Sequence, residues 1–336
     1  MKIDASSTIA VTVGFVLLAT VTLALLWHRI RWRGRSVLIT GVVLGVTAAA
    51  ALQVNRLTET YPSWGDLVGA ASVTTSSSAG VSGQGRIIWY VVNGPSSGIS
   101  MPMGVYLPAA YASRPDLRFP VIEALHGYPG APNTWTERLD IAGHLNREIT
   151  AGRMSPTVVL LPYLTPQRLV DTECTNLTGG PQAETYLTHD VPEWALKNLR
   201  VRTEPSAWGL AGFSAGGFCA MNLALRHPDR YAAAASLSGY ADPGIKVGDR
   251  SERTSNNVAW QLAHRPQPPI ALWVGWADDD HAARDGSRRI ARLGREPLSV
   301  TTAIVPHGGH SLAVWRQMES PAFDWLSAHL ARPLPG

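Results

Sequence analysis

The chain has 336 residues, 45% of them hydrophobic, enough to bury the core of one large domain or two small ones. Its formal net charge is +4 and its isoelectric point about 9.2, yet four arginines crowd positions 29 to 35, so the balance says little about the remainder. No basic patch interleaved with aromatic residues and no nucleic-acid motif is present, which sets nucleic acid aside as a partner.

Thr8 to Trp27 is an uncharged run of about twenty apolar or small residues, long enough to span a bilayer. Ser36 to Val54 is a second uncharged run, rich in glycine and alanine. Between them lies His28-Arg29-Ile30-Arg31-Trp32-Arg33-Gly34-Arg35. By the positive-inside rule this basic loop is cytoplasmic, so the N-terminus and everything after Val54 lie outside. Trp27 and Trp32 are placed for the membrane interface. The competing reading is a cleavable signal peptide. Against it, the basic residues follow the first apolar run instead of preceding it, although Ala48 to Ala51 could serve cleavage after the second. The expected organisation is a two-helix membrane anchor over 1–56, a linker over 57–85 and an extracytoplasmic domain over 86–336. The linker's Ala70 to Gly85 stretch is rich in Ser, Thr and Gly.

From residue 86 onward, apolar runs alternate with helical patterns, the signature of an α/β sheet. The expected core strands are Val121–Leu125, Val158–Leu161, the run Ala207–Ala211, Ala233–Leu237, Ile270–Val274 and Val300–Val305. Several are continuously apolar, as strands buried on both faces should be. Arg86–Val92 and Met103–Leu107 read as antiparallel edge strands. No internal repeat is visible.

Gly212-Phe213-Ser214-Ala215-Gly216 reads Gly-x-Ser-x-Gly, and it stands between a strand-like run and a helical one that ends at His227-Pro228. Strand, sharp turn and helix are what a nucleophile elbow requires. The pattern alone is weak, because a chain with 31 glycines can produce it by chance. Its context makes Ser214 the candidate nucleophile.

A serine nucleophile needs a base, and the base needs an acid to orient it. In folds built on this elbow both follow later in the chain, acid before histidine. After the last strand comes His307-Gly308-Gly309-His310. The glycines permit a tight turn that presents His310, the candidate base, with His307 as local rival. After Ile270–Val274 comes Asp278-Asp279-Asp280-His281. Asp278, the first carboxylate, is the candidate acid, with Asp280 second. The structural alternative is that these residues cap the helix starting near His281. A metal site is disfavoured, since consecutive residues cannot all face one ion. The backbone N–H groups of Tyr128, in His126-Gly127-Tyr128, and of Ala215 are the candidate oxyanion donors, with His126 structural. Outside the membrane, Cys174 and Cys219 can form a disulfide near the nucleophile; the alternative is a buried free thiol at 219.

From about Arg86 to the end, the chain resembles the esterase D and antigen 85 group of α/β-hydrolases. The resemblance rests on His126-Gly127-Tyr128, on Gly212-Phe213-Ser214-Ala215-Gly216-Gly217, and on Gly309-His310-Ser311 followed by Trp315. Glu184-Thr185-Tyr186-Leu187-Thr188 also looks like the helix that precedes the elbow strand in that group. The group includes feruloyl-esterase-like enzymes and mycolyltransferases, and some of its members have lost the serine and serve as binding proteins. The chain departs from mycolyltransferases in its two apolar helices and in lacking a trehalose-pocket signature. The resemblance implies a serine esterase acting on small-molecule or lipid and glycan esters without metal or organic cofactor, and the two apolar runs, read separately, make it membrane-anchored. The alternatives are an envelope acyltransferase and a non-catalytic binding protein on the same scaffold.

Overall fold

The computed structural model describes residues 31–58, 83–167 and 170–336, together with 13–14, 16–18, 20–22 and 24–25. It divides into two compact units, Met1–Val73 and Thr74–Gly336.

In the first unit, α1 spans Trp32–Thr58. Its segment Trp32–Leu52, 21 residues long, holds an 18-residue window of mean hydropathy 1.8. At about 1.5 Å per residue that matches the roughly 30 Å hydrocarbon core of a bilayer. Among the described residues it is the one helix long and apolar enough to cross a membrane. It starts at Trp32 and not at Ser36, so Arg33 and Arg35 lie within its first turns, where a loop was expected. Arginine is a good helix former, and the Arg33 guanidinium lies 5.6 Å from the Trp32 ring centroid. The other expected span, Thr8–Trp27, falls partly outside the described residues, so two spans are not established. Its described residues are helical, and a Cβ on Gly45 of α1 would stand 2.7 Å from Val16 Cγ2. Of the expected linker, residues 59–82 lie outside the described residues.

In the second unit, eight strands among the described residues form one sheet: β1 (Arg86–Asn93), β2 (Ser100–Leu107), β4 (Val121–Leu125), β5 (Val158–Leu161), β6 (Trp208–Phe213), β7 (Ala233–Leu237), β8 (Ala271–Ala277) and β9 (Ser299–Val305). The order is β1-β2-β5-β4-β6-β7-β8-β9. β1, β2 and β5 pair antiparallel, and from β5 to β9 every pairing is parallel. A separate ribbon joins β3 (Leu117–Arg118) to β10 (Leu334–Pro335). The parallel strands β4 to β8 are buried throughout, which fits their largely apolar sequences, whereas no residue of edge strand β9 is buried and its Thr301 and Thr302 are exposed.

Helices cover both faces. One apolar layer buries Val191 and Ala195 of α3 (Val191–Asn198), Phe218 and Cys219 of α4 (Ala215–Arg226), Val258 and Leu262 of α5 (Val258–His264) and Ile290 of α6 (His281–Leu293). The other buries Ile141 and Leu145 of α2 (Ile141–Thr150) with Val314, Met318 and Phe323 of α7 (Leu312–His329). The nucleophile motif lies at the C-terminal end of central strand β6, where the loops of neighbouring parallel strands also converge.

Glu123, in the middle of β4, is fully buried. It accepts a hydrogen bond from the Tyr231 hydroxyl at 2.9 Å through Oε1, while Oε2 has no partner. Burial raises its carboxyl to about 8, so the folded protein holds it neutral at pH 7. A folded value above the unfolded one gives stability that is full below about pH 4.5 and is lost as pH rises through about 8. Glu123→Gln keeps the acceptor for Tyr231 and removes the titration. Urea unfolding across this range is expected to show falling stability in the wild type and a flatter profile in Glu123→Gln; equal slopes would contradict the assignment.

Candidate active site

Ser214 joins β6 to α4 at φ 55° and ψ −122°, a backbone region that residues with side chains rarely occupy. The surroundings hold it there. Its N–H donates to the Leu237 carbonyl at 2.9 Å, and its own carbonyl accepts from the N–H groups of Gly217 and Phe218. The motif glycines are required by close approach: a Cβ on Gly212 would stand 2.1 Å from the Gly216 oxygen, and one on Gly216 would stand 2.2 Å from the Leu125 oxygen. Strand and helix meet backbone to backbone, and the serine is left at the turn, half-buried and in reach of the loops above.

His310 completes a continuous chain. Its Nε2 lies 2.8 Å from Ser214 Oγ and its Nδ1 lies 2.6 Å from Asp280 Oδ2. With Nδ1–H donated to the carboxylate, Nε2 is the acceptor for the serine hydroxyl. The imidazole meets Trp315 edge to face at 5.1 Å, and Trp315 stacks on Phe213 at 4.6 Å, so the residues beside the nucleophile and the base support one another. His307 is exposed and lies near Asp279.

The expected acid, Asp278, does not reach His310. Strand β8 continues to Ala277, and the Asp278 N–H still bonds the Val305 carbonyl at 2.9 Å as an extension of the β8–β9 ladder. The Asp278 side chain therefore turns to Arg288, at 2.7 Å. Only after a turn closed by the Asp280 N–H on the Ala277 carbonyl does a carboxylate face the base, and that carboxylate is Asp280. The capping alternative also holds for this residue, since Asp280 Oδ1 accepts from the Ala283 N–H at the start of α6. The three consecutive carboxylates diverge, to Arg288, to the N–H groups of Gly308 and Gly309, and to His310. Among the described residues no group of three His, Cys, Asp or Glu side chains is arranged to hold a metal ion.

The second expected oxyanion loop borders the serine, since a Cβ on Gly127 would stand 3.3 Å from Ser214 Cβ. Tyr128 follows it, joined to Pro129 by a cis peptide. His126 is fully buried; its Nδ1–H donates to the Gly127 carbonyl at 2.7 Å, and its Nε2 accepts from the Leu164 N–H at 3.2 Å. Burial lowers its pKa to about 4, which keeps the ring neutral and the acceptor available. It holds the loop from inside. Ala215 opens α4, where the first N–H groups have no partner within the helix and favour negative charge.

Cys174 and Cys219 are bonded, with Cα atoms 5.6 Å apart. The bond ties the loop after β5 to α4 just past the serine. In that loop the buried Glu173 accepts from the Tyr240 hydroxyl, and burial beside Asp171 holds its carboxyl well above the usual range. Tyr240 stacks on Phe218 of α4 at 5.6 Å. No sequence signal marked Glu173 and Tyr240 as partners. Closing a loop of 45 residues contributes about 4 kcal/mol by the chain-entropy relation. Cys174→Ser is expected to lower unfolding free energy by about that amount in denaturant titrations, and a loss under about 1 kcal/mol would refute a stabilising role.

The Glu184 segment, expected as the helix before the elbow strand, is helical and leads into α3. Glu184 grips the far end of α4, with Oε1 2.7 Å from Arg226 Nη2 and 2.8 Å from His227 Nε2.

The Esterase family model ("Putative esterase") matches residues 95–325. The chain belongs to this family. An uncharacterised protein of Corynebacterium glutamicum is 27% identical over 241 residues, covering 66% of this chain and 56% of its own length. The diacylglycerol acyltransferase/mycolyltransferase Ag85B of Mycolicibacterium smegmatis is 42% identical over 84 residues, covering 22% of this chain and 25% of its own. The chain thus spans about half the length of the first relative and a quarter of the second. A solved ferulic acid esterase shares the fold, with a TM-score of 0.65 at 18% identity, over 74% of this chain and 99% of that one. The family, the α/β-hydrolase sheet and the antigen 85 relatives agree with the resemblance read from the motifs.

Proposed function

We propose that residues 86–336 form a serine carboxylic ester hydrolase. The observation that carries this reading is the unbroken chain Asp280–His310–Ser214, at 2.6 and 2.8 Å, beneath a strained elbow. Ser214 Oγ attacks the ester carbonyl carbon while His310 Nε2 takes the hydroxyl proton. Asp280 holds the imidazole in the required tautomer and stabilises its charged form. The N–H groups of Tyr128 and Ala215 receive the oxyanion. The bond to the alcohol oxygen breaks as His310 returns the proton to it, leaving an acyl group on Ser214. His310 then deprotonates a water that releases the carboxylic acid and restores the serine.

Fluorophosphonate labelling of the full-length protein, with the modified peptide mapped by mass spectrometry, tests this reading. Label on Ser214, absent from Ser214→Ala, is the expected result. No label on folded protein would sink the reading and bring forward a non-catalytic binding protein on the same scaffold. A second reading, transfer of the acyl chain to a sugar hydroxyl, is favoured by the segment shared with the antigen 85 acyltransferase. Labelled acyl donor recovered on a glycan, and not as free acid, would select it.

The same proposal includes the setting of the domain. Trp32–Leu52 and the apolar run before it serve as a two-helix membrane anchor, and the linker over 57–85 holds the domain outside the cytoplasm. The supports are the length and hydropathy of α1, the approach of Val16 to Gly45, and the disulfide.

A further inference from the structure

His310 is presented by a weak piece of backbone. Gly308 and Gly309, at φ 129° and 61°, are two consecutive glycines in the left-handed half of the map, and glycine has the most conformational freedom to lose. Downstream the turn is well anchored: the Ser311 hydroxyl donates to the Gly308 carbonyl at 2.7 Å, and Ser311 Oγ accepts from the Val314 N–H at the start of α7. Upstream, both glycine amides converge on one side chain. Asp279 Oδ1 accepts from the Gly309 N–H at 2.8 Å and Oδ2 accepts from the Gly308 N–H at 3.1 Å. We propose that Asp279 is a positioning residue, whose carboxylate clamps the Gly308–Gly309 turn and so fixes His310 between Ser214 and Asp280.

The two adjacent carboxylates divide the work. Asp280 holds the imidazole, and Asp279 holds the peptide groups that carry it. The pair of N–H donors keeps the Asp279 carboxyl below the ordinary range, with His307 adding to the effect, so it stays an acceptor-only group at neutral pH. A charged acceptor of two backbone N–H groups is among the stronger hydrogen-bonded arrangements. Asn at this position would offer one acceptor and turn an NH₂ donor toward the other amide. Ala would leave both amides to water.

The inference rests on the triad reading, so its test needs one readout of the chemistry and one that is independent of it. The full-length wild type, Asp279→Asn and Asp279→Ala are compared in p-nitrophenyl butyrate hydrolysis, in the rate of fluorophosphonate labelling, and in amide hydrogen exchange of the peptide containing Gly308 and Gly309. Asp279→Ala is expected to lose about 10- to 100-fold in kcat and in labelling rate with KM within about twofold, because a displacement of about 1 Å in a reacting group costs that much. Asp279→Asn should fall between it and the wild type. Labelling at saturation should still reach every molecule, which separates a mispositioned base from a smaller folded fraction. Exchange in the 306–311 region should quicken at least about tenfold in Asp279→Ala, consistent with loss of a local constraint. If the wild type does not label, the triad reading fails and the exchange result alone decides the clamp. Turnover and labelling of Asp279→Ala within twofold of wild type, or unchanged exchange, overturn the proposal. Should Asp279→Ala not fold, Asp279→Asn is judged by the same criteria.

Discussion

Ser214→Ala is expected to lower kcat by about 10⁴- to 10⁶-fold with little change in KM, because the hydroxyl forms and breaks bonds only after the substrate is bound. Residual hydrolysis above the uncatalysed rate should survive, since the N–H groups of Tyr128 and Ala215 would still receive the oxyanion. The substitution keeps a Cβ at φ 55°, so it leaves the backbone strain in place and folding stability nearly unchanged. Ser214→Gly would remove that Cβ and is expected to be as inactive but more stable by about 1 kcal/mol. Ester hydrolysis and thermal unfolding of the two variants, measured together, check both statements. A loss below about tenfold in either variant would remove Ser214 from the chemistry.

The second large effect separates two neighbouring carboxylates. Asp280→Asn is expected to reduce kcat by about 10³- to 10⁴-fold, because an amide facing His310 Nδ1 favours the wrong tautomer. Asparagine is also a good helix cap, so the bond from Ala283 can persist and the loss reports on catalysis, not on α6. Asp278→Asn should stay within about threefold of wild type. Its carboxylate meets Arg288 with both side chains about half exposed, and such surface pairs contribute little. The reverse ranking would reinstate Asp278 as the acid.

The contrast at these two residues illustrates what could be read along the chain. Gly212, Ser214 and Gly216 announce themselves because the elbow demands small residues at set offsets, and the close approaches at Gly212 and Gly216 are the physical cause of the spacing. His310 was legible through the two glycines before it. The acid was not, because its identity depends on where β8 stops. An apolar run ending at Val274 gives no sign that Trp276 and Ala277 stay buried in the strand, or that the Asp278 N–H continues the ladder to Val305. The register of β8 against β9 decides which of three equivalent carboxylates faces the base.

Some contacts carried no local signal at all. Glu173 and Tyr240 are 67 residues apart, Asp279 and Gly309 are 30 apart, and each meets its partner only because loops of parallel strands gather at one edge of the sheet.

By itself, the sequence determined the α/β alternation, the elbow, the histidine that stands beside Ser214 and the long apolar helix α1. Each follows from short-range rules: periodicity, the steric needs of one turn, and the length of an uncharged run. The tertiary structure decided which carboxylate faces His310, which one meets the Gly308–Gly309 turn, and the tie between Cys174 and Cys219. Those depend on strand register and on distances between loops far apart in the chain, which arise only when the sheet has assembled.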